Sequence, residues 1–567
     1  MDVNSIKTER RIGGTTWING LLLGFLGVLI ISIVVLSWVP PVSKDALVHH
    51  LAVPKLYLEH GGVYEIPSMP FSYYPMNLDL LYLIPLNFGQ DILPKFIHFC
   101  FALLTAGIIF GYLKPRTSRT FALLGVILFL SIPIIIKLSI TAYVDLGVIF
   151  FSTASVFLLF KWMKIGFRLG PLILSAVFCG LAMGTKYNGL VVFFLLTLMV
   201  PFLYSRYGRR GRNGFFRSLG CAALFSLVAI TVFSPWMIRN HYWKGNPIYP
   251  LYQEWFEARK AVSSQVVVDN IPEKKMNRGI FTYRSMIYKE KWWEIALLPV
   301  RIFFQGEDGN PQYFDGKLSP FLFFLPIFAL YRIREGPESV RREKTILLVF
   351  ALLFLLITVF TRDLRLRYVS PIIPALVILS IFGLINIREV VLKFQIKSAR
   401  LVGFMVVGLL VIISVAMNTS YILLQFRVVE PFAYIMGDLN RHEYISKHRR
   451  EYPALHYVNG HLPTDALVLF VFAGKRGYYC DRQYLVSGES RLKRLIGKAK
   501  TPEEILEGFK RQGLTHLFVY NPMFIKWVDD NFEKEKKRVL EDLFIKHIKT
   551  LYHENGFSVS IIEYPLA

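Results

Sequence analysis

The sequence is short of cysteine and of acid. It has four cysteines in 567 residues: Cys100, Cys179 and Cys221 in apolar runs, and Cys480 in a more polar region, with no CxxC spacing. This excludes a disulfide framework and a cysteine zinc site. Charged residues are only 19% of the chain, and acids number 40 against 65 lysines and arginines. No small-residue cleavage site of the A-x-A kind follows the first apolar run, so that run is expected to stay as a helix. The C-terminal region has neither a glycine-rich phosphate loop nor a nucleophile elbow.

Long apolar runs are abundant. Hydrophobic residues make up 54% of the chain, and Leu21–Trp38, Phe121–Ile136, Leu146–Phe160, Val191–Leu203, Ile346–Phe360 and Val402–Val415 are nearly free of charge. A membrane helix needs roughly 20 such residues. The net charge of +25 would suggest nucleic acid in a soluble protein. Here the basic residues fall in short segments between apolar runs, such as Lys114, Arg116 and Arg119, or Lys161, Lys164 and Arg168, and most of these clusters recur after every second run. That is the positive-inside pattern, and no nucleic-acid partner is implied. The spacing predicts about eleven crossings of the inner (plasma) membrane, with the N-terminus cytoplasmic and the C-terminus outside. Spans are expected at Thr16–Trp38, Ile92–Leu113, Phe121–Leu138, Thr141–Met163, Pro171–Lys186, Asn188–Leu203, Leu219–Ile238, Ser319–Tyr331, Thr345–Phe360, Tyr368–Ile387 and Leu401–Leu423. Two long outer segments, 39–90 and 239–317, separate them, and Trp292–Phe304 is apolar enough to lie along the membrane surface.

The texture changes near residue 430. Ala466–Phe472, His516–Tyr520 and Phe557–Tyr564 read as strands. Thr501-Pro-Glu-Glu reads as a helix start, with a capping threonine and proline at the first helical position. The expected architecture is a multi-pass α-helical membrane module, residues 1–425, with a small α/β extracytoplasmic domain at 430–567.

This topology brings scattered polar residues to the outer face: Asp45 after the first span, Asp145, Lys186, Arg239, and the group Arg362, Arg365, Arg367 and Tyr368. Ionisable groups beside apolar segments are costly and mark functional paths. Asp45 opens a stretch in which Leu47, Leu51 and Leu58 share a helical face, as in a helix lying at the interface. Its side chain can cap that helix, serve as a base, or both. The adjacent His49 and His50 point to different faces, which fits packing better than a shared metal. Asp145 can reach water from a helix end, and Lys186 can snorkel. Cations from three separate segments, however, suit phosphate binding better.

At these residues the chain resembles the GT-C membrane glycosyltransferases that use a polyprenyl-phosphate sugar donor. The resemblance is to the bacterial members of the dolichyl-phosphate-mannose protein mannosyltransferase and lipid A aminoarabinose transferase superfamily. It is carried by Asp45-Ala-Leu-Val-His-His-Leu-Ala-Val-Pro-Lys-Leu-Tyr, Gly180-Leu-Ala-Met-Gly-Thr-Lys-Tyr-Asn-Gly-Leu, Ser234-Pro-Trp-Met-Ile-Arg-Asn-His-Tyr-Trp-Lys-Gly-Asn-Pro-Ile-Tyr-Pro, Phe314-Asp-Gly-Lys-Leu-Ser-Pro and Arg367-Tyr-Val-Ser-Pro, in the family's order. The resemblance implies inverting transfer to a hydroxyl of a glycan, lipid or protein acceptor at the outer membrane face. Asp45 would be the catalytic base, and Asp145 would orient an acceptor or sugar hydroxyl. Lys186, Arg239, Arg367 and Tyr368 would hold the donor phosphate. The family pairs its aspartate with a glutamate; here Ala46 follows, so a divalent metal stays open as a cofactor, with no ligand cluster identified for it. The composition also admits a transporter or flippase, or a non-catalytic membrane protein of polysaccharide assembly. A transporter would show repeated halves and midplane charge pairs, and the sequence has neither.

Overall fold

The computed structural model describes residues 3–208, 211–257, 279–331, 337–361, 364–486 and 488–565, with side chains from residue 16 onward except residue 212. Arg362 and residues 258–278 of the second outer segment lie outside the described residues. The protein is a multi-pass helical membrane protein with a small sheet near its C-terminus. Among the described residues, seven helices are long and apolar enough to cross a membrane, or eight if one bent pair counts as a single span.

That pair corrects one expectation. Phe121–Leu138 is two helices, Arg119–Ser131 and Pro133–Ser139, bent by 67°. Pro133 supplies no amide to continue the ladder, and it forces Ile132 into an extended conformation with ψ 129°, so the first helix must stop there. Leu169–Thr185 and Phe321–Leu330 are shorter apolar helices, and Glu338–Val359 starts in charged residues. Arg212–Lys244 and Lys397–Val429 outrun their expected spans at both ends.

The chain divides into two units. The first holds residues 1–38, 73–81 and 93–431, and the second holds 39–72, 82–92 and 432–567. In the first unit, helices meet through small residues, as tight packing in lipid requires. A Cβ on Gly383 would overlap the Leu325 carbonyl, and one on Gly189 would overlap the Ala182 and Met183 backbone. The short helices Trp292–Ala296 and Leu298–Arg301 bury Ile295 and Leu298 and expose Trp292 and Leu297, as a helix lying on an apolar surface would.

A polar hub organises the stretch before Phe321–Leu330. Phe314 and Asp315 have left-handed backbone (φ 69° and 45°), which turns the Asp315 carboxylate onto Lys137 (2.9 Å), Arg365 (3.0 Å) and the Gly309 amide (2.9 Å). Burial pushes this carboxyl up. Lys137, the Gly309 amide and Arg365 outweigh burial and hold it below the usual aspartate value.

The second unit contains a five-stranded sheet of order β2-β1-β3-β5-β4, with β1 Leu467–Val471, β2 Gln483–Leu485, β3 His516–Tyr520, β4 Ile548–Glu554 and β5 Phe557–Ile562. β1 pairs in parallel with β2 and β3, and β5 is antiparallel to β3 and β4. Alternate residues of β1 serve two cores. Leu469 and Val471 pack with Ile496, Ile505 and Phe509, whereas Val468 and Phe470 pack with Leu455 and Val458. A sheet covered on both faces needs this two-sided apolar pattern. The expected strands at β1, β3 and β5 are present, and Thr501 caps Pro502–Lys510 through the Glu504 amide. The short β2 and the polar β4 carry weak strand signals, and sequence reading missed both.

The second unit also takes in the segment after the first span. Ala46–His50 forms a π-helical turn that runs into the helix Ala52–His60. Ala46, Leu47, Leu51, Ala52 and Val53 are all buried, so this is an interior helix and not one lying at the membrane surface. Asp45 makes no side-chain capping bond to it, which removes the capping reading. His49 stacks on Phe71 at 4.6 Å, in line with the packing role expected for it.

The Asp315 hub has a pH signature. Its folded pKa is depressed, so its contribution is complete above the unfolded value of about 3.9 and is lost as pH falls through the lower folded value. Asp315→Asn should therefore destabilise the purified protein by about 1–3 kcal/mol at pH 7. In thermal unfolding scans the gap from wild type should close as pH falls below the unfolded carboxyl value of about 3.9.

Candidate functional site

Asp145 is the first residue of the helix Asp145–Lys164. Its N-cap, Val144, has no side-chain acceptor to offer. The first amides of a helix need partners from elsewhere, and His98 supplies one from the neighbouring helix Leu93–Leu113. Its Nε2 accepts from the Leu146 amide at 2.9 Å, while Nδ1 lies 2.9 Å from the carbonyls of both Leu138 and Thr141. Two carbonyls can only accept, so Nδ1 carries the proton and Nε2 does not. The fully buried imidazole thus fixes the turn that presents Asp145.

Lys186 comes from the junction of Leu169–Thr185 and Gly189–Tyr207. Its Nζ donates to Asp145 Oδ1 at 2.7 Å; the carboxylate is 2% exposed and the lysine side chain 14%. Neither sequence-level default holds: Asp145 does not reach water, and Lys186 does not snorkel. The glycines around Lys186 serve packing. A Cβ at Gly184 would overlap the Asn77 amide, whose Oδ1 accepts from Trp236 at 2.8 Å.

Arg367 and Tyr368 join this pair. The Lys186 ammonium lies 5.3 Å from the Tyr368 ring. The Arg367 guanidinium lies over the rings of Tyr143 (5.1 Å) and Tyr368 (5.5 Å), and it acts electrostatically on Asp145. Asn188 ties the elements together by donating to the Tyr368 carbonyl at 3.3 Å. Asp145 Oδ2 has no hydrogen-bond partner among the described residues.

Arg239 belongs to a neighbouring aromatic cluster. It lies over Trp236 (4.6 Å) and Trp243 (4.9 Å), and donates to the Tyr74 carbonyl at 3.1 Å. Asn240 beside it donates to the Tyr187 hydroxyl at 3.2 Å, and Tyr187 follows Lys186 in the chain, so the two clusters share one loop. Tyr143, Tyr187, Asn240 and His98 escaped sequence reading. Tyr187 and Asn240 stand inside the stretches that carry the resemblance, and His98 shows as a histidine within an apolar run. Arg365 is engaged by Asp315 at 3.0 Å. Asp45 lies in the second unit, half-buried. No three His, Cys, Asp or Glu side chains come together as a metal site would need among the described residues.

A buried pair of this kind is unforgiving of half-removal. Asp145→Asn or Lys186→Met alone should destabilise the protein by about 3–5 kcal/mol, because each strands a buried charge. The double variant should recover much of the loss, as a double-mutant cycle of unfolding in detergent would read.

Comparison with known proteins bears out the resemblance. Residues 88–238 match the model of the family described as dolichyl-phosphate-mannose-protein mannosyltransferase; the match takes in Asp145 and Lys186 and ends one residue before Arg239. No curated protein matches the sequence. ArnT from Cupriavidus metallidurans in the apo state is similar in structure, with TM-score 0.55, 14% identity, 98% of this chain covered and 100% of that one. ArnT bound to undecaprenyl phosphate matches at 0.55 and 14%, over 96% of this chain and 99% of that one. The archaeal oligosaccharyltransferase AglB from Archaeoglobus fulgidus, in complex with an inhibitory peptide and a dolichol-phosphate, matches at 0.50 and 10%, over 96% and 74%. The chain thus has an ArnT-like fold, and its residues 88–238 are similar to the dolichyl-phosphate-mannose-protein mannosyltransferase family.

Proposed function

We propose that this protein is an inverting glycosyltransferase that moves a sugar from a polyprenyl-phosphate carrier to an acceptor hydroxyl at the extracytoplasmic face of the plasma membrane. One observation carries the reading. Helix ends of a membrane unit assemble two cations, Lys186 and Arg367, with Tyr368 around Asp145, and cations from separate segments are what binds a phosphate. The undecaprenyl phosphate bound by ArnT, whose fold this chain shares at 14% identity, supports the same reading.

In this mechanism Asp45 takes the proton of the acceptor hydroxyl as its oxygen attacks the anomeric carbon. The bond from that carbon to the carrier phosphate breaks, and its electron pair stays on the phosphate. Lys186 and Arg367 stabilise the charge that develops there, being held in place before the reaction begins. Tyr368 covers the ammonium. The free Oδ2 of Asp145 accepts from a sugar or acceptor hydroxyl. Arg239, gripped by two indoles, bounds the carrier's path.

Asp45→Asn should lower transfer from a polyprenyl-phosphate sugar by about 10²–10⁴-fold while undecaprenyl phosphate binding stays within twofold of wild type. Purified protein in nanodiscs, assayed for carrier release and for binding, tests both; wild-type turnover by the variant would remove Asp45 from the mechanism. The orientation has its own check. External protease should digest the C-terminal unit in intact spheroplasts, and digestion only after lysis would reverse the proposed topology.

A further inference from the structure

The second unit contains a cleft of about 480 Å³, within the ~300–1,000 Å³ range of small-molecule sites. All its lining residues belong to that unit. Its centre is Tyr452, whose hydroxyl lies 2.8 Å from His442 Nδ1. The rings of His442 and His456 stack with Tyr452 at 6.0 and 6.2 Å, and Tyr479 meets it edge-on at 5.2 Å.

The charges on the walls are already paired. Arg441 forms a fork with Asp91 at 3.1 and 2.5 Å, and the Tyr478 hydroxyl also donates to Asp91 at 3.2 Å. Lys55 holds Asp481 at 2.7 Å and the carbonyls of Tyr478 and Cys480 at 3.0 Å. Two cations and two carboxylates leave the lining without net charge. His442 is further held neutral by burial, His456 and Arg441, which lower its pKa.

This lining excludes most ligand classes. No aliphatic side chain lines the cleft, so an acyl chain or an apolar peptide anchor finds no partner. A phosphate or an acidic polymer would need surplus positive charge. A metal would need three convergent ligands, and the described residues hold no such group. What fits is a ligand with a C–H face to lie on aromatic rings and hydroxyls at its rim to meet fixed, planar hydrogen-bonding groups. We propose that this cleft binds a neutral oligosaccharide, with His442, His456 and Tyr452 as its stacking floor and the Arg441–Asp91 and Lys55–Asp481 pairs as its polar walls. The pairs are pre-formed, so the site loses little side-chain entropy on binding. The inference holds whether or not the chain transfers a sugar.

Saturation-transfer NMR on the full-length protein in nanodiscs tests it with three probes, chitotriose, mannotriose and maltotriose, each to 10 mM. At least one should bind saturably, with Kd about 0.1–5 mM, an affinity typical of a small contact area. His456→Ala should weaken that binding fivefold or more. His456→Trp, which fills the cleft from an exposed position, should abolish it, and both variants should keep the wild-type unfolding temperature. Absence of saturable binding by all three sugars would overturn the proposal, as would binding that both variants leave unchanged. Asp45→Asn should bind the trisaccharide as wild type does, so a failure of transfer alone would count against the transfer reading and leave this one standing.

Discussion

The pairing of Lys186 with Asp145 sets the terms for the membrane unit. Removing either ion from water costs several kcal/mol even after relaxation, and a carboxylate that is 2% exposed meets nearly all of that cost. The 2.7 Å contact offsets it only if both partners are held still. His98 fixes the first turn beneath Asp145, the close approach at Gly189 fixes the loop beneath Lys186, and Asn188 ties that loop to Tyr368. Each contact belongs to a different helix. The pair is therefore the point on which several spans converge, and its geometry reports on all of them.

The same convergence explains how a cationic site can exist there at all. Arg367 adds a second positive charge beside a pair that is already neutral. Its guanidinium lies against the Tyr143 and Tyr368 rings, whose faces attract a cation without cancelling its charge. Arg239 is treated alike, with two indoles in place of two phenols. Arg365 shows the contrary case. It is bound to Asp315, which also holds Lys137, so its charge serves the architecture. Three arginines that look equivalent along the chain thus differ in setting: Arg239 and Arg367 lie against aromatic faces, and Arg365 meets a carboxylate.

That division marks how far sequence carries. The spans were legible because crossing ~30 Å of hydrocarbon demands long apolar runs, and the alternating basic clusters gave them order. Asp145 and Lys186 were legible as ionisable groups out of place, although residues 41 positions apart give no sign of touching. The bend at Ile132 was readable in Pro133 and was overlooked because the apolar run continues through it. The helix after Asp45 was read only in part. It has apolar residues on several faces, as an interior helix does, yet Leu47, Leu51 and Leu58 alone suggested one face. The role of Asp315 was invisible, because it depends on a left-handed backbone at two non-glycine residues that no local propensity announces. The cleft around Tyr452 joins four separate stretches of chain, and only folding brings them together.

Which carboxylate receives a proton in the proposed transfer turns on access. Asp145 has one oxygen engaged by Lys186 and is nearly closed to solvent, so an incoming hydroxyl could reach only Oδ2. A proton placed there would weaken the contact on which the surrounding helices converge. Asp45 is half-buried, open enough for a hydroxyl to approach, and does not cap its own helix through its side chain. A base must lose its charge in every cycle without disturbing its support, whereas a positioning carboxylate must keep its charge throughout. Asp45 suits the first role, and Asp145, held by an ammonium that it in turn holds, suits the second.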